Sequence, residues 1–205
     1  LTVNIVITQR RANTASMAFQ LYPPKKFRPV SRQWQIEKSK DLHLNVQFYL
    51  KYGREKLFTQ TSPPKQTASV QADGNCFFRA LSYVITGVED YHMNIREAIT
   101  MCVEKNSGMF RTLLQSRGGM HNYVCSMRQP REWATDTEIF AAATLLKTVI
   151  EVCTPCRTKR GLEYQWQTFT PLDKPELRGP SIYISNRDSH FEPVLDVEER
   201  KHNND

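Results

Sequence analysis

Asp73-Gly74-Asn75-Cys76 sets a thiol directly behind two residue types, glycine and asparagine, that accept unusual backbone angles. It also stands directly ahead of the run from Cys76 to Ile85, in which Phe77, Ala80, Leu81, Val84 and Ile85 recur at helical spacing. The pattern predicts a tight turn that delivers Cys76 to the first turn of an amphipathic helix. There the unpaired backbone amides and the positive end of the helix dipole favour a thiolate over a thiol. The same amides can hold a developing oxyanion. A thiol nucleophile also needs a base, and a group that orients the base. Of the five histidines, His43 falls in a basic segment, His92 and His121 near predicted helix starts, and His202 in a polar C-terminal tail. His190 differs, because it opens a predicted strand straight after the polar turn Asn186–Ser189, which sets its ring at the rim of a sheet. Glu192, two residues on, shares its face of the strand and can accept from the imidazole and fix its tautomer. Residue types alone leave a structural role open for Cys76 and for His190.

The elements that must position these groups follow from patterning. Beyond the Cys76 helix, His92 to Asn106 carries Ile95, Ile99, Cys102 and Val103 on one helical face, and two short helices follow around 109–115 and 119–128. Thr135 and Glu138 form a capping-box signature ahead of Ile139–Leu146. Strands are predicted at Thr148–Val152, Leu162–Phe169, Ser181–Ser185 and His190–Leu195, with hairpin turns at Arg157–Gly161 and Asn186–Ser189. Leu42, Leu44, Val46, Phe48 and Leu50 alternate with polar residues and predict one further strand. Helices precede strands, so the class is α+β, with helices packed on a central, mostly antiparallel or mixed sheet.

The formal charge of +7 over 205 residues is unevenly placed. Residues 1–66 hold 12 Lys and Arg against 3 acidic residues, and residues 67–205 hold 16 against 18. The first 66 residues, rich in proline and short of apolar runs, read as a basic N-terminal extension, part ordered and part linker. Residues 67–196 read as the catalytic domain and 197–205 as a polar tail. The extension could neutralise phosphates and stack bases, but it carries no recognised nucleic-acid motif, and packing on the domain or on a protein is the stronger expectation. No run is long enough to span a bilayer. A start at Leu1, with no signal pattern, suggests a piece of a longer polypeptide. The five cysteines are an odd set in a chain that needs no disulfide framework, which points to free thiols in a reducing compartment, cytoplasmic or nuclear, or a host cytosol for a delivered protein. Cys102 and Cys125 are expected as small buried hydrophobes. Cys153-Thr-Pro-Cys156 has the spacing of a metal knuckle or redox pair, but no second ligand pair lies near it, so no metal or cofactor is expected.

Asp73-Gly-Asn-Cys76-Phe-Phe-Arg-Ala-Leu81 resembles the cysteine block of the ovarian tumour (OTU) family of cysteine proteases. Trp133 to Ala141 resembles the family's tryptophan-plus-acidic block, and Ser185 to Glu192 its histidine block. The three stand in family order over about residues 67–196. The resemblance implies a papain-like fold without metal and hydrolysis of isopeptide bonds after the ubiquitin C-terminus. Its partners would be ubiquitin, polyubiquitin chains or another ubiquitin-like modifier, with the enzyme a monomer. It assigns Cys76 as nucleophile, His190 as general base and then acid, and Asp73 to the loop whose amides form the oxyanion hole. Asn75 and Phe191 are assigned to the substrate channel, Trp133 to the core and Glu138 to a helix cap. The family often has Asp or Asn where this chain has Glu192, so the resemblance leaves the orienting role divided between Glu192 and Asp73. The alternative is an OTU-fold module of weak or no activity that binds ubiquitin, a partner protein or nucleic acid.

Overall fold

The computed structural model describes residues 24–159 and 161–199. Residues 1–23 of the expected extension, Arg160 in the expected hairpin turn, and the end of the expected tail, with His202, lie outside the described residues. The elements in chain order are β1 (Lys25–Phe27), α1 (Arg32–Asp41), β2 (Lys56–Phe58), β3 (Pro64–Thr67), α2 (Cys76–Thr86), α3 (His92–Lys105), α4 (Ser107–Leu114), α5 (Met120–Met127), α6 (Asp136–Leu146), β4 (Val149–Thr158), β5 (Gly161–Phe169), β6 (Ser181–Arg187) and β7 (His190–Val197).

Five strands form one sheet in the order β3-β7-β6-β4-β5, and β1 pairs with β2 in a separate ribbon. Within the sheet only β4 and β6 run parallel, from Val149↔Ser181 to Cys153↔Ser185, and the other pairings are antiparallel. Period-two alternation then divides the sheet's side chains. Ile182 and Ile184 join the helical core with Phe77, Leu81 and Ile85 of α2, Ile95 and Ile99 of α3, and Ile139 and Leu146 of α6. Tyr183, between the two isoleucines, faces the other side, where Phe27, Phe58, Trp166, Val194 and Val197 build a second core.

That second core explains where the basic segment goes. Phe27 and Phe58 are fully buried by the β1-β2 ribbon, and burying each contributes about 2–3 kcal/mol. Phe27 lies 4.5 Å from Tyr183 and Phe58 5.4 Å from Trp166, centroid to centroid. Hydrogen bonds sew the segment down: Trp166 Nε1 donates to Ser62 O at 2.7 Å, Trp34 Nε1 to Thr148 Oγ1 at 2.8 Å, and Gln35 Nε2 to Val84 O at 2.9 Å. Its cations meet the acidic side of the later sequence: Lys25 pairs with Glu151, and both Lys56 and Lys65 pair with Asp196. Lys56 and Asp196 are nearly buried, with side chains 6% and 11% exposed.

Three local expectations change. Arg32–Asp41 is a helix the apolar pattern does not show, because its buried residues are Gln35 and Ser39. Leu42–Leu50 is not a strand; its Gln47 and Phe48 amides both donate to Thr86 O, and Leu50 N donates to Gln35 Oε1. Cys125 is exposed on α5, 3.8 Å from His121 Nε2, rather than buried.

Candidate active site

Gly74 has φ +80°, and a Cβ there would lie 2.5 Å from Arg131 O, so the turn requires glycine on both counts. Asn75 occupies the N-cap position of α2 without a side-chain capping bond, and Cys76 is the helix's first residue. The turn is locked by Asp73, whose Oδ1 accepts from Asn75 N (3.0 Å) and Arg79 Nε (3.1 Å). Its Oδ2 accepts from Asn75 Nδ2 (2.9 Å) and Arg79 Nη2 (2.7 Å). The hydrogen bonds from Arg79, with those from Asn75, hold the Asp73 carboxyl well below the usual carboxylate range. Asp73 is thus spent on the turn and on α2.

Asn75, expected in the substrate channel, is 3% exposed. Its side chain is a brace, with Oδ1 accepting from Arg96 Nη2 and from Arg131 N, both at 2.8 Å. Arg96, on α3, is 1% exposed and stacks 3.9 Å over the Phe78 ring. It also donates to Glu132 O at 2.8 Å and to Met127 O at 3.2 Å. One guanidinium therefore ties the cysteine turn to the segment that leads into Trp133. Sequence reasoning passed over Arg96, although it shares a helical stripe with Thr100 and Val103, where a cation signals a buried polar brace.

From the opposite side, the β6-β7 hairpin turns through Asp188 and Ser189, both non-glycine residues at positive φ (51° and 65°). This tight, locally strained turn brings main-chain groups to the thiol. Cys76 Sγ donates to Ser189 O at 3.8 Å, and Phe191 N donates to Cys76 Sγ at 3.5 Å. His190 stands between those two residues. Its Nε2 lies 3.7 Å from Glu192 Oε1, within ion-pair reach and longer than a hydrogen bond. Its buried Nδ1 has no hydrogen-bond partner among the described residues. The carboxylate in contact with His190 is that of Glu192, and one ring nitrogen is left over.

Gly74, Cys76, Trp133, Ala134, Asn186, Ser189 and Phe191 line a small, partly open cavity of about 70 Å³. Phe191 lines this cavity and is buried edge-on against Phe77 at 5.3 Å. Trp133, expected in the core, is 58% exposed and forms part of the cavity rim. Its segment has no regular secondary structure, so no periodicity marks the side it faces. Glu138 is a buried cap as expected, with Oε2 accepting from Thr135 N at 2.6 Å.

Cys153 and Cys156 stand on opposite sides of β4, the first buried with its thiol pushed up to about 12 by burial, the second exposed. Among the described residues no group of three His, Cys, Asp or Glu is arranged to hold a metal, and no helix is long and apolar enough to cross a membrane.

Both the sequence and the fold that carry this site are similar to those of known proteins. The sequence pattern described as "OTU-like cysteine protease" matches residues 71–197. The chain belongs to the OTU family. Over 81 residues this OTU domain is 35% identical to OVARIAN TUMOR DOMAIN-containing deubiquitinating enzyme 7 of Arabidopsis thaliana. That match spans 40% of this chain and 22% of the plant protein. Its fold is similar to the viral OTU domain protease of Dera Ghazi Khan virus, with a TM-score of 0.54, 17% identity, and 68% and 83% of the two chains covered. It is likewise similar to the Hazara virus OTU solved bound to ubiquitin, with a TM-score of 0.52, 15% identity, and 70% and 89% covered.

Proposed function

We propose that this OTU domain is a cysteine-type deubiquitinase that hydrolyses the isopeptide bond after the ubiquitin C-terminus. The observation that carries the reading is at His190, with Nε2 toward Glu192 and a buried Nδ1 that has no partner among the described residues, on the residue next to Phe191, whose amide donates to Cys76 Sγ. A neutral imidazole that donates from Nε2 keeps its lone pair on Nδ1, as a base for a thiol requires. His190 takes the Cys76 proton as Sγ attacks the carbonyl carbon of the last ubiquitin residue. The resulting oxyanion is held by the Cys76 amide and that of Gly74, the Asn75 amide being engaged with Asp73 Oδ1. The tetrahedral intermediate collapses with cleavage of the C–N bond, and the imidazolium returns its proton to the departing lysine amine. Water, deprotonated by His190, then attacks the thioester and frees the ubiquitin carboxylate and the thiol. Glu192 orients the ring and stabilises its charged form; catalytic contacts at rest are commonly long and tighten on the substrate.

The narrow cavity supports an acyl substrate that ends in residues without side chains, as a diglycine tail does. The Hazara virus relative bound to ubiquitin supports ubiquitin as the partner. The need for a free thiol at Cys76 supports action in a reducing compartment. The test is cleavage of diubiquitin by the wild-type chain and by Cys76→Ala. Activity in the first and none in a folded second supports the reading, and equal hydrolysis by both overturns it.

A further inference from the structure

Two buried polar atoms in the site have no hydrogen-bond partner among the described residues, His190 Nδ1 and Asn186 Oδ1. The first is used by the base. The second has no use in the mechanism above, and folded proteins keep few such atoms without cause. Asn186 lies on β6 opposite Phe191, the residue whose amide donates to the thiol. It lines the same small cavity as Cys76. An acceptor held there, desolvated and unfilled, is suited to a donor that enters with the substrate. A diglycine tail has no side chains, so the donors such a tail brings are its main-chain N–H groups.

We propose that Asn186 Oδ1 accepts a hydrogen bond from a main-chain N–H of the acyl glycine segment and so holds the attacked carbonyl against Cys76. Asn186 is then a substrate-contact residue that selects for an unsubstituted amide next to the scissile bond. This rests on the deubiquitinase reading, and the experiment separates the two. Wild-type, Asn186→Leu and Asn186→Ala proteins hydrolyse fluorogenic ubiquitin with the native tail, or with N-methylglycine at the last or the penultimate position. Alkylation of Cys76 by iodoacetamide and the melting midpoint are measured alongside. With the native tail, both variants are expected to lose about 10–100-fold in kcat/KM. One N-methylated substrate costs the wild type a similar factor and costs the variants little more, because each change removes the same bond. Alkylation rate and melting midpoint stay near wild type. The proposal is overturned if the variants match wild type on the native tail, if variant and N-methyl losses multiply, or if alkylation falls in step with hydrolysis. A wild-type protein that does not hydrolyse the native substrate overturns the deubiquitinase reading, and this proposal with it.

Discussion

Arg96→Met separates what the fold needs from what the site needs. The substitution keeps most of the apolar contact over Phe78 but removes the guanidinium donors to Asn75 Oδ1, Glu132 O and Met127 O. Hydrogen bonds from a charged donor contribute about 1.5–3 kcal/mol each, so three amount to about 5–9 kcal/mol. Against this stands the desolvation of a guanidinium 1% exposed and, among the described residues, without a carboxylate in contact, which costs several kcal/mol and is relieved in methionine. Burial accordingly lowers Arg96 below the ordinary arginine value. Asn75 Oδ1 also keeps its bond from Arg131 N. The net loss of stability is therefore about 2 kcal/mol, a fall of about 4–8 °C in Tm for a chain this size. Activity has no such offset, because the cysteine turn and the Trp133 segment are then joined through Asn75 Oδ1 by the Arg131 amide alone. A displacement of about 1 Å at the reacting atoms costs on the order of 100-fold. Hydrolysis of fluorogenic ubiquitin at 25 °C, beside a melt by circular dichroism, should show kcat/KM down about 100-fold in a folded protein. Folded Arg96→Met within about threefold of wild type would refute the bracing role.

Glu192→Ala should lower kcat about 10–100-fold with little change in Tm, by freeing the His190 ring; an unchanged kcat assigns the orienting role elsewhere. Asp73 is held low by Arg79, so its stabilising effect is full above the unfolded value of about 4 and is lost as pH falls toward the folded value. The urea midpoints of wild type and Asp73→Asn should therefore differ by a constant amount above about pH 5 and by progressively less from about pH 4 downward, with most of the gap still present at about pH 3; a gap already closed at about pH 4 contradicts this. Lys56→Ala leaves Asp196 with only the longer, half-exposed Lys65 contact. It should cost about 3 kcal/mol, a Tm drop of about 6–12 °C. A drop below about 2 °C would mean that the basic segment adds little to the domain.

Much of the site is legible in the sequence because its signals are local. The stripe from Phe77 to Ile85 places Cys76 at a helix start, the Thr135–Glu138 capping box fixes the start of α6, and alternation puts His190 and Glu192 on one strand face. What escapes depends on polar side chains that point inward. Helix α1 turns Gln35 and Ser39 to the core, so hydrophobic spacing does not reveal it. The choice between Glu192 and Asp73 turns on where Arg79 reaches, and the exposure of Trp133 on a loop held by Arg96 and Arg117. The charge imbalance was visible in the counts, but its resolution into Lys25–Glu151 and Lys56–Asp196 needed chain positions more than 120 residues apart.

The central claim, that Cys76 is the nucleophile of a ubiquitin-directed site, is tested most directly with ubiquitin carrying a C-terminal propargyl amide. Intact-mass analysis should show the addition of one ubiquitin, and peptide mapping should place the adduct on Cys76, with none formed by His190→Ala. No adduct, or an adduct on the exposed Cys125 or Cys156, would contradict the account.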